Sequence, residues 1–257
     1  NNYNPKNVTP AGDVFPIYEK SLLTSDRMVT IIIVTNRLLF ISRRMHMETR
    51  EKNTKERILE EALKLFSQSG YMGTSMNDIA VELGVTKAAL YKHYKSKQEI
   101  LESIVERMNQ MDAERAKKYE MPEGNMAEVI AGYKDTALDK IKQYTKVQFL
   151  HWTEEEFPCR FRKMLTLEQY RDPDMAGLYQ NYLAKGPVAY IEKIFAGLTK
   201  NDQDARQLAL EFYGPIFLLY SLYDETDEKQ DVTEMVEQHV ERFSKRLEDI
   251  EGSSKRD

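Results

Sequence analysis

Between Val85 and Gln98 the chain carries four lysines, two tyrosines, one histidine and no acidic residue. Lys87, Lys92, Lys95 and Lys97 are flexible cations. Tyr91 and Tyr94 carry hydroxyls on stiff rings. Such a set suits phosphate oxygens, which fix a protein's register on a nucleic acid, while base edges supply sequence information. Ala88 and Ala89 stand where a packed helix would carry larger side chains. Their size lets a helix backbone approach a DNA major groove, with Lys87 and Lys92 in reach of bases or phosphates. Leu90 then points back toward a core. Other readings of single residues stay open: lysines suit a solvated face, Tyr-x-x-Tyr at helical spacing suits packing, and His93 suits an exposed neutral side chain.

The surrounding elements must position this edge. "NTKERILEEALKLFSQSG" places Ile58, Ala62, Leu65 and Phe66 on one helical face, with Asn53 able to cap its start and Gly70 its end. Ser75 with Asp78 forms a capping-box pattern for a second helix, which carries Ile79, Ala80 and Leu83 inward and stops at Gly84. Thr86 caps a third helix, 87–94. Ser96 with Glu99 caps a fourth, with Ile100, Leu101, Ile104, Val105 and Met108 at helical spacing. The second and third helices are separated only by Gly84-Val85-Thr86, the tight turn of a helix-turn-helix. Lys97 then falls in the first turn of the fourth helix, where the helix N-terminus already favours anions. Thr74 and Ser75 offer the same at the start of the second.

Residues 55–101 resemble the DNA-binding domain of the TetR family of bacterial transcriptional regulators. The resemblance is carried by Ile58-Leu59, Ala62, Phe66, Gly70-Tyr71, Thr74-Ser75, Ile79-Ala80, Gly84-Val85-Thr86, Leu90-Tyr91, His93-Tyr94 and Lys97. It implies phosphate or groove roles for Lys55, Thr74, Ser75, Thr86, Lys87, Tyr91, His93, Tyr94 and Lys97. It also implies a helical homodimer with a variable C-terminal body that binds a small effector and releases double-stranded operator DNA. One departure is Ala88, where the family often has glycine, so operator preference does not transfer from a relative.

The whole chain of 257 residues has a formal net charge of -5 and a single cysteine, Cys159. The charge is uneven: +3 over residues 1–46, +4 over 84–97 and -8 over 201–257. An acidic body with one basic end fits a single polyanion-binding face. One cysteine and four histidines exclude a disulfide framework and a Cys/His metal quartet, and they fit a cytoplasmic setting. His151 with Glu154 and Glu155 has metal-compatible spacing but reads as a solvated acidic face. No nucleophile elbow or phosphate loop is present, so neither an enzyme nor a cofactor is expected. Residues 1–46 differ from the rest. Their apolar run 28–41, interrupted by Asn36 and Arg37, is shorter than the ~20 residues of a membrane span, and they are expected to be an upstream extension.

The expected fold is all-α with about nine or ten helices: a helix-turn-helix domain at 47–97, a ligand-binding and dimerisation body at 98–250, and a disordered tail at 251–257. Body helices are expected near 126–143, 146–156, 160–170, 174–197, 203–223 and 231–249, with breaks at Phe157-Pro158 and "RDPD" and a kink at Gly186-Pro187. Phe149, Trp152, Phe161, Tyr170, Tyr179 and Tyr182 are the candidate effector pocket, though each also suits core packing. Phe212, Ile216, Leu219, Tyr220, Met235, His239 and Phe243 are the candidate dimer seam of the last two helices. Activation in place of repression stays open, as does a DNA- or protein-interaction factor of this fold without a small-molecule switch.

Overall fold

The computed structural model describes residues 53–199 and 202–254, and all regular structure in them is helical. The expectations for residues 1–46 and 255–257 lie outside this range. A helical segment 53–69 (α1) leads into α2 (Met76–Glu82), α3 (Lys87–Tyr91) and the long α4 (Lys97–Lys118). The body then adds α5 (Met126–Asp135), α6 (Leu138–Thr153), α7 (Glu156–Glu168), α8 (Pro173–Leu183), α9 (Lys185–Thr199), α10 (Asp202–Glu225) and α11 (Lys229–Ser254).

Local chemistry sets the small helices. Ser75 and Asp78 close a reciprocal capping box on α2, and this bonding holds the Asp78 carboxyl below its ordinary range. Thr86 Oγ1 accepts from the Ala89 amide to start α3, and Ser96 Oγ accepts from the Glu99 amide to start α4. Gly84 turns the chain between α2 and α3 at φ 65° with open space around it. Gly70 ends α1 at φ 83°, and a Cβ there would overlap the Glu168 carboxylate on α7. α3 is shorter than the 87–94 read from sequence, because Lys92 already caps it.

One apolar core runs from this unit into the body. Ile58, Ala62 and Phe66 of α1, Ile79 of α2, Leu90 of α3 and Ile100 and Ile104 of α4 are buried together. The same cluster continues through Met108 to Phe149, Trp152 and Phe161. At roughly 1.5–3 kcal/mol for each large side chain, this burial orients α3 far more firmly than its five-residue length could.

In the body, α9 packs against α5, α8 and α10, while α6 packs against α7, α10 and α11. Several helix boundaries differ from the sequence reading. Pro158 does not break the chain but lies in the first turn of α7, and Pro187 lies in the first turn of α9, where no intrahelical N–H is required. The expected helix 174–197 is two helices, divided at Ala184 (φ -131°, ψ -91°). The expected helix 126–143 is also divided, at an extended Thr136 (ψ 123°) whose hydroxyl donates to the Gly132 carbonyl. α11 continues to Ser254, beyond the expected boundary at 250.

The two glycines give a graded prediction. Gly84→Ala adds only left-handed backbone strain and should cost about 1–2 kcal/mol. Gly70→Ala adds the clash with buried Glu168 to the same strain and should lower the thermal midpoint by several degrees more than Gly84→Ala, read by circular dichroism.

Candidate nucleic-acid interface and ligand cavity

The predicted reading edge is open to solvent. Thr86, Lys87, Ala88, Tyr91 and Lys92 are exposed on or beside α3, Ala89 is half-buried, and Lys95 adds a further exposed cation. Lys87 Nζ lies 5.8 Å from the centre of the Tyr91 ring, so cation and hydroxyl share one side of the helix. Lys55 of α1 is exposed beside them, 5.9 Å over the Tyr94 ring. Ser75 is exposed but engaged with Asp78. His93 is half-buried, and its Nδ1 has no hydrogen-bond partner among the described residues.

Three of the twelve interface candidates face inward. Thr74 is 3% exposed and its hydroxyl donates to the Gly70 carbonyl. Tyr94 is 4% exposed and belongs to the core, where burial pushes its hydroxyl pKa up. Lys97 donates to the carbonyls of Tyr71 at 2.6 Å and Thr74 at 2.8 Å, with its ammonium 4.3 Å over the Tyr71 ring. Burial lowers its pKa, partly offset by the charge of Glu168. The Lys97 ammonium at this helix N-terminus is therefore engaged by backbone carbonyls, with the side chain half-buried. Its side chain satisfies two carbonyls of the α1–α2 loop, whose carbonyl groups leave no periodic signal in a sequence.

Behind this unit the body holds a half-open cavity of about 560 Å³ lined by α4 to α6 and α8 to α11. Of the six effector candidates, Phe149, Trp152 and Tyr182 line it. Phe161 is fully buried in packing against Trp152 and Tyr182, Tyr179 packs against the core outside the cavity, and Tyr170 is 90% exposed. The cavity instead recruits residues expected at a dimer seam. Phe212, Ile216 and Tyr220 of α10 and Phe243 of α11 line it, because those faces turn into the body. Leu219 is buried as well, and His239 Nε2 donates to the Phe212 carbonyl at 2.8 Å. Met235 alone of that set is exposed. The outward face of α10 carries Leu210, Gly214, Phe217, Leu218 and Leu222, an apolar stripe at helical spacing that the sequence reading did not single out.

A polar cluster joins α4 to α6 beside the cavity. Arg115 Nη1 donates to Asp112 Oδ1 at 2.9 Å and to Gln148 Oε1 at 3.3 Å. Its Nη2 meets His151 Nδ1 and lies 3.7 Å from Glu155. His151 is fully buried, so it is no part of the solvated acidic face expected from its spacing. Burial, then the Arg115 charge, lowers its pKa despite the nearby Glu155 and Asp112 carboxylates. Sequence spacing did reveal the His151–Glu155 pair, at 2.9 Å, but not Arg115, which comes from another helix. No group of three metal-ligating side chains occurs among the described residues, and no described helix is long and apolar enough to cross a membrane.

The geometry defines an all-helical helix-turn-helix protein with a hollow body, and comparison places it among known proteins. Residues 58–104 match the family model described as bacterial regulatory proteins, tetR family. The biofilm operon icaADBC negative transcriptional regulator IcaR of Staphylococcus epidermidis is 44% identical over 52 residues, which cover 20% of this chain and 28% of that relative. IcaR of Staphylococcus aureus strain Newman is 45% identical over 51 residues, or 20% of this chain and 27% of the relative. The chain thus matches little more than a quarter of these curated relatives' length. A TetR-family transcriptional regulator from Bordetella parapertussis superposes with a TM-score of 0.51 at 21% identity, covering 74% of this chain and 94% of that one. A TerR/AcrR-family regulator from Aquifex aeolicus gives 0.51 at 22%, covering 73% and 98%. Residues 58–104 are a TetR-family helix-turn-helix domain, and the body behind it has the fold of TetR-family regulators. The relatives named here are regulators, not enzymes.

The buried imidazole gives a pH prediction. Its pKa is lowered in the folded state, so as pH falls through the ordinary histidine value near 6.5 the unfolded chain takes a proton that the folded chain refuses. His151 should therefore cost stability below about pH 6.5, by up to ~1.4 kcal/mol per pH unit until its folded pKa is reached. Urea melts between pH 7.5 and 5.5 should show that loss, and His151→Gln should flatten it. An equally steep loss in the variant would assign it to other groups.

Proposed function

We propose that this chain is a homodimeric, sequence-specific DNA-binding repressor, released from a palindromic operator by a small molecule held in the body cavity. The observation that carries this reading is the exposed edge of Lys87, Ala88, Tyr91 and Lys92 on a helix held in place by a TetR-family core. Small residues permit close approach to the groove, and flanking cations and hydroxyls grip phosphates. The named function of IcaR as a negative regulator favours repression over activation. The acidic body, at -8 over residues 201–257, weakens contact with DNA away from the basic end and so disfavours nonspecific binding.

Dimerisation follows from the stripe of Leu210, Phe217, Leu218 and Leu222 on α10, extended by Met235 on α11. A face this apolar is stable in water when a second copy covers it, and two helices from each copy make a four-helix seam. Two copies also present two recognition helices to half-sites about one helical turn apart, roughly 34–36 Å.

Fluorescence anisotropy against the DNA upstream of the protein's own gene tests the reading. Affinity should exceed that for random DNA on the order of a thousandfold at moderate salt and fall steeply as salt rises. Leu218→Glu should sediment as a monomer and lose most of the specific affinity. Equal affinity for both DNAs would overturn the repressor reading, and a dimeric Leu218→Glu would overturn the proposed seam.

A further inference from the structure

We propose that the cavity takes a lipophilic cation: an aromatic or aliphatic body bearing one positive charge, as in a quaternary ammonium or a protonated amine. This rests on reading the cavity as the effector site and names the chemistry that site selects.

Its volume of about 560 Å³ suits a drug-sized molecule. Six tyrosines, four phenylalanines and one tryptophan line it. Aromatic faces carry negative potential and attract cations, most strongly where water is excluded. The tyrosine hydroxyls are largely turned to protein partners. Tyr182 donates to Asn109 at 2.6 Å, Tyr213 donates to the Leu183 carbonyl at 2.9 Å, and Tyr133 and Tyr190 bond each other. These residues offer a ligand ring faces more than hydrogen-bond donors, and an anion needs donors.

Charge points the same way. Among the described lining residues Asp112 is the one formal charge, and no lysine, arginine or histidine lines the wall. A carboxylate or phosphate entering here would shed its hydration with no cation to replace it, and it would face Asp112. Arg115 does not cancel that carboxylate, because it is shared between Asp112 at 2.9 Å and Glu155 at 3.7 Å. Two carboxylates face one guanidinium, and the remaining ring of the cluster, His151, is held neutral near pH 7 by burial. With Arg115 held between both carboxylates, Asp112 presents uncancelled negative charge to the aromatic wall it helps to line. A neutral ligand would fill the volume and leave that charge unanswered, while a cation satisfies both.

Trp152 is the single tryptophan of the chain and lines the cavity, so its emission reports occupancy directly. Tetraphenylphosphonium and tetraphenylborate are near-identical in shape and opposite in charge. Titrated into the full-length protein without DNA, the phosphonium should perturb Trp152 emission with a Kd at least about tenfold below that of the borate. Asp112→Asn should bring the two within about threefold. Borate binding as tight as phosphonium binding would overturn the proposal, as would no response to either ion up to about 1 mM. An undiminished cation preference in a folded Asp112→Asn would also overturn it. The wild-type comparison stands alone if that variant does not fold. A cation that binds selectively yet leaves operator occupancy unchanged supports the ligand class while removing the effector reading of the cavity.

Discussion

The burial of the Lys97 ammonium against two backbone carbonyls is the contact on which the DNA-facing unit depends. Tyr71 and Thr74 stand in the loop between α1 and α2, where the Tyr71 carbonyl also accepts from the Thr74 amide at 3.3 Å. Lys97 satisfies both from the first turn of α4 and lays its charge over the Tyr71 ring. Glu168, fully buried at the end of α7, adds a favourable field from behind, although its carboxylate oxygens have no hydrogen-bond partner among the described residues. The close approach of Glu168 to Gly70 is what makes glycine necessary at that turn. One cation therefore joins α4 to the loop that leads into α2, with the body's α7 packed directly against it.

α4 carries this arrangement to the cavity. Lys97 is its first residue, and Asp112 and Arg115 lie fifteen and eighteen residues on, roughly 22–27 Å along the axis. Asp112 lines the cavity, and Arg115 ties α4 to Gln148 and His151 of α6. The same element thus touches the loop beside the helix-turn-helix at one end and the cavity wall at the other. A ligand with different affinity for two positions of α4 shifts the population of those positions, which is the thermodynamic content of an effector.

The helix-turn-helix was legible in the sequence because its signals are local. Capping boxes, the glycine turn, the small residues at Ala88 and Ala89 and the lysine run all lie within a few residues of what they control. The body was less legible for physical reasons. Prolines at 158 and 187 read as breakers, yet each lies in a first turn that tolerates proline. Thr136 divides two helices with no glycine or proline to announce it. α10 is apolar nearly all round, so period alone could not say which side faces the cavity and which faces outward. Phe212, Ile216, Tyr220 and Phe243, expected at a seam, line the pocket. The inward commitments of Tyr94, Thr74 and Lys97 are tertiary, and a basic or hydroxyl side chain looks the same in sequence whether it grips phosphate or carbonyl.

The division of labour between holding and reading is tested most directly by pairing Lys97→Met with Lys92→Ala and measuring thermal midpoint and DNA affinity on each. Lys97→Met removes charge-assisted bonds worth about 1.5–3 kcal/mol and should lower the midpoint by several degrees. Lys92→Ala should leave the midpoint unchanged, weaken DNA binding and reduce its salt dependence by about one ion. An unchanged midpoint in Lys97→Met, with DNA binding weakened as in Lys92→Ala, would contradict the account by making Lys97 a phosphate ligand.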